Sequence, residues 1–266
     1  MRFAPLCALL LAAGCAGTRQ SVLTSGSLLP HADLVFVADG SGDYRTTSLA
    51  VGEAVTSAGA LLRVETVVWS HGYGKMYEDH VDHCNHIREG RHLASLVVAV
   101  KQVCPDRAVY LVGHSSGAAV ILAAAEAIPP ETVERIVLLA PAVSSEYDLR
   151  PALRSCRQTI EVFTSKRDVG ALAIATGFVG TADRRRTSAA GRIGFTPILA
   201  CAGDEQLYTK LRIHPWSRAV AWTGNRGSHY GTLGKTFMQT YILPLLLRPR
   251  RLEVGSPPQW GVSQGP

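Results

Sequence analysis

Short apolar runs alternate with longer amphipathic stretches along most of this chain. Asp33 to Ala38 (DLVFVA) is β-branched and apolar, and it predicts a buried strand that ends in Asp39-Gly40-Ser41-Gly42. Thr46 to Ala60 predicts a helix with Thr46 or Thr47 as N-cap. Leu61 to Trp69 predicts the next strand, ending at Ser70-His71-Gly72-Tyr73-Gly74; a polar loop and a helix from about Glu89 to Val103 follow. Ala108 to Val112 predicts a strand and Ala118 to Ala127 a helix, stopped by Pro129-Pro130. Arg135 to Ala140 and Thr159 to Thr164 predict two more strands. Ala219 to Trp222 predicts the last strand, and Phe237 to Leu247 a closing helix with Pro244 near its end. Strands alternating with helices give an α/β fold, a mostly parallel central sheet with helices on both faces. Sites in such sheets lie beyond the C-terminal strand ends.

One junction carries chemistry. Gly113-His114-Ser115-Ser116-Gly117 reads G-x-S-x-G between a predicted strand and a predicted helix, the context of a nucleophile elbow. A serine on so sharp a turn sits in strained backbone, and side chains in place of the outer glycines would clash with strand and helix. Ser115 would project above the sheet, with the helix N-terminus facing any negative charge formed there.

A serine hydroxyl needs a base to take its proton and a carboxylate to orient that base. Asp168 and His229 follow Ser115 in the order serine, acid, histidine, each just after a predicted strand. The motifs GHSSG, FTSKRD and TGNRGSHYG resemble those of the α/β-hydrolase superfamily from about residue 33 to 247, and within it the chain resembles exported hydrolases of planctomycete bacteria. The resemblance implies an α/β-hydrolase fold and a serine hydrolase that needs no cofactor or metal. Two rivals to Asp168 stay open: Asp148, after the preceding strand, and Asp204, in Ala202-Gly203-Asp204. His214 rivals His229 but precedes Pro215 and the predicted final strand. His114 is expected to pack beside the nucleophile.

The oxyanion hole needs two N–H donors. One is expected from Ser116, the residue after the nucleophile, and the other from Gly40 or Ser41. Asp39 stands where relatives often carry His. His71-Gly72-Tyr73-Gly74 has the more familiar letters but follows the wrong strand, and reads as a second loop at the pocket rim.

The N-terminus changes the picture of where the domain works. Arg2, an apolar stretch from Leu6 to Ala13 and Ala12-Ala13-Gly14-Cys15 resemble a bacterial lipoprotein signal, with Cys15 the lipidated residue. The alternative is plain secretion, with cleavage near Ala16-Gly17. Residues 1–14 are thus expected to be a signal, 15–30 a tether, 31–247 the hydrolase domain and 248–266 a disordered tail. The expected partners are a small-molecule or lipid ester and a membrane, reached through the lipid anchor.

Length and composition suit one globular domain: 266 residues, 47% hydrophobic and 18% charged. The net charge is +6, and basic residues cluster at Arg184-Arg185-Arg186 and at Arg248, Arg250 and Arg251, without a nucleic-acid motif. Of Cys84, Cys104, Cys156 and Cys201, at least two are expected as small buried hydrophobes. His80, His83 and His86 are metal-ligand types in a stretch that reads better as a polar loop or helix start near the pocket. Residues 170–180, apolar between glycines, read as a core helix or as a mobile lid over the site. The leading function is acyl-ester hydrolysis; the alternative from another class is a non-catalytic envelope or binding protein on the same scaffold.

Overall fold

The computed structural model describes residues 32–168 and 180–247. The signal, Cys15, the tether, the tail and all but the last residue of the 170–180 segment lie outside the described residues. The chain has an α/β-hydrolase fold, built on six parallel strands in the order β2-β1-β3-β4-β5-β6. They are β1 (Asp33–Ala38), β2 (Leu62–Thr66), β3 (Val109–His114), β4 (Arg135–Leu139), β5 (Ile160–Thr164) and β6 (Leu211–Pro215). Helices α1 (Thr46–Ser57), α2 (Met76–Val81), α3 (His83–Val103), α4 (Gly117–Ala127) and α5 (Arg150–Ser155) fall between them. Two short helices, α6 (Ala190–Ile193) and α7 (Asp204–Tyr208), precede β6. A 3-10 helix (Arg218–Thr223) and a mixed helical segment over 235–246 close the chain.

β1, β3 and β4, at the centre of the sheet, are nearly continuous apolar runs because both faces are covered there. Alternate residues of β1 go to opposite cores. Val35 and Val37 pack with Val51 and Val55 of α1 and Ile242 of the closing segment. Leu34 and Phe36 pack with Leu93 and Val97 of α3 and Ile121 of α4. In α4, Val120, Ile121 and Leu122 are fully buried, each worth about 1.5–3 kcal/mol of apolar transfer.

The strand order also sets the site. The chain steps outward from β1 to β2, then returns across β1 to start β3 and runs outward the other way. β1 and β3 are neighbours whose following connections run to opposite sides, the switch point at which sites form in such sheets.

Four readings are corrected. The last strand is Leu211–Pro215, and the AVAW segment is the 3-10 helix. β6 is an edge strand whose residues mostly face solvent, so it lacks an apolar run, and Pro215 at its end costs no ladder bond. His214 thus lies on the last strand, not before it. The helix expected from Glu89 begins at His83, where the Asp82 side chain accepts from Asn85 N at 2.9 Å, and α2 precedes it where a polar loop was expected. Neither Thr46 nor Thr47 caps α1: Arg45 holds the N-cap position, and Asp39 supplies the carboxylate from across the loop. Of the four cysteines only Cys156 is buried, its thiol pushed up to about 12 by desolvation; Cys84 and Cys201 are exposed, and all four are free thiols.

Candidate active site

The elbow is shaped by close approach. A Cβ on Gly113 would stand 2.8 Å from Ala118 Cα, and one on Gly117 would run into the carbonyl oxygens of Ala38 and Asp39. Only glycine lets β3 turn into α4 against the end of β1. Between them Ser115 adopts φ 51°, the left-handed region that non-glycine residues avoid. Its backbone is fixed on both sides: Ser115 N donates to Leu139 O at 3.0 Å, and its carbonyl accepts from Ala142 N at 3.0 Å. The Ser115 hydroxyl makes no hydrogen bond among the described residues, to His229 included.

His229 and Asp168 meet. His229 Nδ1 lies 2.6 Å from Asp168 Oδ2, and both side chains are buried. That bond orients the imidazole and leaves Nε2 as the free nitrogen. The histidine loop is pinned to the acid loop: Ser165 Oγ donates to Gly227 O at 2.7 Å, and Trp216 Nε1 donates to Asn225 O at 2.9 Å. The Arg167 guanidinium lies over the Trp216 ring at 4.7 Å. His114 lies under the pair, fully buried, and donates from Nε2 to the His229 carbonyl at 3.2 Å. Burial, and then the neighbouring His229, push the His114 imidazole down to about 3, so it stays neutral.

The rival residues are engaged elsewhere. Asp148 pairs with Arg150 at 2.8 Å, and that guanidinium holds its carboxyl below the usual range. Asp204 accepts from Ala200 N and Cys201 N at 2.9 and 2.8 Å and pairs with Arg150; these backbone amides, Cys201 first, hold it low. His214 Nε2 is 2.6 Å from Glu161 Oε2, a pair that holds Glu161 low despite its burial.

Beside the elbow, a Cβ on Gly40 would stand 3.4 Å from Ser115 Cβ and 3.0 Å from His114 Nδ1. The amides of Gly40, Ser41 and Ser116 make no hydrogen bond among the described residues, and they flank the nucleophile from two sides. The Asp39 carboxylate accepts from Thr47 N at 2.6 Å, Ser48 N at 3.1 Å and the Ser48 hydroxyl, and so ties this loop to the start of α1. Trp69 Nε1 donates to Asp39 O at 3.0 Å. The His71–Gly74 loop packs on the same turn, through Gly74 N to Gly42 O at 2.9 Å and Tyr73 edge-on to Tyr44 at 5.2 Å.

The histidine-rich stretch does not converge. His86 Nε2 donates to Asp79 O at 2.6 Å, and burial lowers its imidazole. His83 stacks edge-on to His86 at 6.2 Å, while His80 turns to the elbow, with Nδ1 2.9 Å from Ser116 Oγ. Among the described residues no group of three or more His, Cys, Asp or Glu is placed to hold a metal ion. The contacts of His80 and of its fully buried neighbour Asp79 were invisible in the sequence, since only the fold brings α2 to the elbow.

A cavity of about 240 Å³ abuts the back of the Asp168–His229 pair, walled by Phe163, Ser165, Ile213, Trp216 and Phe237. Ser115 is not in its wall.

Residues 33–192 match the family model described as Serine aminopeptidase, S33. The chain belongs to this family. The family segment runs from β1 through the elbow to α6 and stops before the loop that bears His229. Among solved structures, the chain is similar to Est1E from Butyrivibrio proteoclasticus with ferulic acid bound, at 15% identity and TM-score 0.44, covering 82% of this chain and 91% of that one. It is similar to the catalytic core domain of acetyl xylan esterase from Trichoderma reesei, at 14% identity and TM-score 0.43, covering 78% and 97%. A cutinase-like protein from Cryptococcus sp. stands at 12% and 0.42, covering 81% and 95%. No inference about substrate rests on these likenesses. No curated protein matches the chain.

Proposed function

We propose that this protein is a serine hydrolase acting on acyl esters, with Ser115 as nucleophile, His229 as general base and acid, and Asp168 as the carboxylate that orients it. The observation that carries the reading is the 2.6 Å bond from His229 Nδ1 to Asp168 Oδ2, taken with a serine held in left-handed backbone at the strand–helix turn. Ser115 Oγ attacks the ester carbonyl carbon, its proton passes to His229 Nε2, and the carbonyl electron pair moves onto oxygen. The Ser116 amide, with that of Gly40 or Ser41, stabilises this oxyanion. On collapse the C–O bond breaks and the alcohol leaves with the proton from His229. Water then repeats the steps on the acyl-enzyme to release the acid.

The choice of ester over peptide rests on charge. An aminopeptidase must hold its substrate's ammonium, usually with a carboxylate. Asp39, Asp79 and Asp168, three buried carboxylates at the elbow and the loops beside it, are each engaged by internal bonds. A panel of p-nitrophenyl acyl esters run beside aminoacyl p-nitroanilides tests this: Ser115-dependent ester turnover supports it, and anilide turnover with inert esters overturns it. The same proposal places the enzyme outside the cytoplasm, held to a membrane by lipid on Cys15, and requires no metal or cofactor.

A further inference from the structure

Two consecutive residues of α2 grip the two loops that flank Ser115. Asp79, fully buried, accepts Gly42 N at 2.7 Å through Oδ2 and so holds the loop that carries Gly40 and Ser41. The same carboxylate takes Ser70 Oγ at 2.6 Å and His71 N at 2.7 Å. His80 reaches the other side: its Nδ1 is 2.9 Å from Ser116 Oγ and its Nε2 is 2.9 Å from Gly180 O. A carbonyl can only accept, so Nε2 carries the proton in the neutral ring and Nδ1 accepts from the Ser116 hydroxyl. Gly180 lies where the chain returns from the segment that follows Asp168. His80 therefore joins α2, the residue after the nucleophile and the chain beyond the acid.

We propose, resting on the serine hydrolase reading, that His80 is a positioning residue for the oxyanion hole: Ala142 N and Ala118 N hold the Ser115 carbonyl at 3.0 and 3.2 Å, and His80, through the Ser116 hydroxyl, completes the aim of the Ser116 amide at the developing negative charge. Ser116 stands at the N-cap of α4 with φ −67° and ψ −24°, and its N–H makes no hydrogen bond among the described residues. Nothing else in the described structure holds its side chain. A donor that must meet the oxyanion rather than the ground-state carbonyl loses much of its effect when turned even slightly. The loss then falls on kcat and not on KM.

The test uses the full chain and the isosteric logic of the imidazole. Asn at position 80 keeps a polar atom where Nδ1 is, and so keeps Ser116; Gln keeps one where Nε2 is, and so keeps Gly180. His80→Ala is expected to lower kcat about ten- to a hundredfold with KM within about twofold. His80→Gln is expected to behave like His80→Ala, and His80→Asn to recover most of kcat. Affinity for a boronic acid, whose tetrahedral adduct on Ser115 fills the oxyanion position, should fall in step with kcat. Ser116→Ala, which keeps the amide, should resemble His80→Ala, and the double variant should be no worse than the poorer single one. Multiplicative losses in the double variant, or recovery by Gln rather than Asn, would overturn the proposal and assign His80 to bracing the Gly180 connection. Unchanged kcat in His80→Ala beside an inactive Ser115→Ala overturns the positioning alone. A wild-type protein that neither cleaves esters nor binds the boronate ends the hydrolase reading and this inference with it.

Discussion

His114 and His229 stand ring to ring at 4.8 Å, with His114 Nε2 donating to the His229 backbone carbonyl at 3.2 Å. The contact makes a prediction about acid stability. The His114 imidazole is pushed down to about 3 in the folded protein, whereas in the unfolded chain it titrates near its ordinary value of about 6.5. The unfolded state therefore binds a proton that the folded state refuses. Stability is full above about pH 6.5 and falls as pH drops toward about 3, by up to about 1.4 kcal/mol per pH unit. His114→Gln, which keeps a donor for the carbonyl, should flatten that limb in urea unfolding at stepped pH. His86, also lowered by burial, should leave a shallower residual slope.

The left-handed backbone of Ser115 predicts a trade between stability and activity. Holding a non-glycine residue at φ 51° costs of order 1–3 kcal/mol. Ser115→Gly relieves that strain but adds freedom to the unfolded chain, for a net gain of up to about 1 kcal/mol. Its Tm should exceed that of Ser115→Ala, which keeps the strain, while both are inactive. A Tm no higher than that of Ser115→Ala would mean that the elbow stores no strain.

The carboxylates should separate activity from stability. Asp168→Asn leaves the fold in place but removes the charge that stabilises the imidazolium, so kcat is expected to fall about 10³–10⁴-fold. Asp204→Asn touches the turn before α7 and the Arg150 and Arg154 side chains. It should lower Tm and leave kcat unchanged. Steady-state kinetics and calorimetry on the pair check this, and the reverse pattern would move the acid role to Asp204.

The proposed lipidation of Cys15 predicts a location. Cys15→Ser should release the protein to the soluble fraction or leave the precursor uncleaved, because an apolar stretch of about eight residues cannot span a bilayer that needs about twenty. Mass spectrometry of the mature N-terminus checks it: a diacylated Cys15 is expected, and an unmodified end at Ala16 or later means plain secretion.

Where the chain is buried on both sides, its letters were readable. β1, β3 and β4 are nearly continuous apolar runs and β5 is broken only by Glu161, and Ser115 and Asp168 follow the ends of β3 and β5. The edge was not readable. β6, LRIHP, faces solvent and carries Arg212, His214 and Pro215, while the more apolar AVAW is a 3-10 helix that turns Trp222 outward. The helices over residues 76–89 fall where the sequence suggests a polar loop or at most a helix start, for a related reason. Asp79 and His80 look like surface polar residues, yet tertiary hydrogen bonds satisfy both, and no local pattern reports partners 36 or 37 residues away. The cap of α1 was missed likewise, since Asp39 sits eight residues before Thr47, beyond any capping motif.

The central claim is that Ser115 is the nucleophile, and covalent trapping tests it most directly. The full-length protein would be incubated with a fluorophosphonate, digested, and the modified peptide sequenced by mass spectrometry. A single adduct on Ser115, absent from Ser115→Ala and slowed by at least about tenfold in His229→Ala, is the expected result. An unlabelled Ser115 in a protein that still hydrolyses esters, or label on another residue that tracks activity, would contradict it.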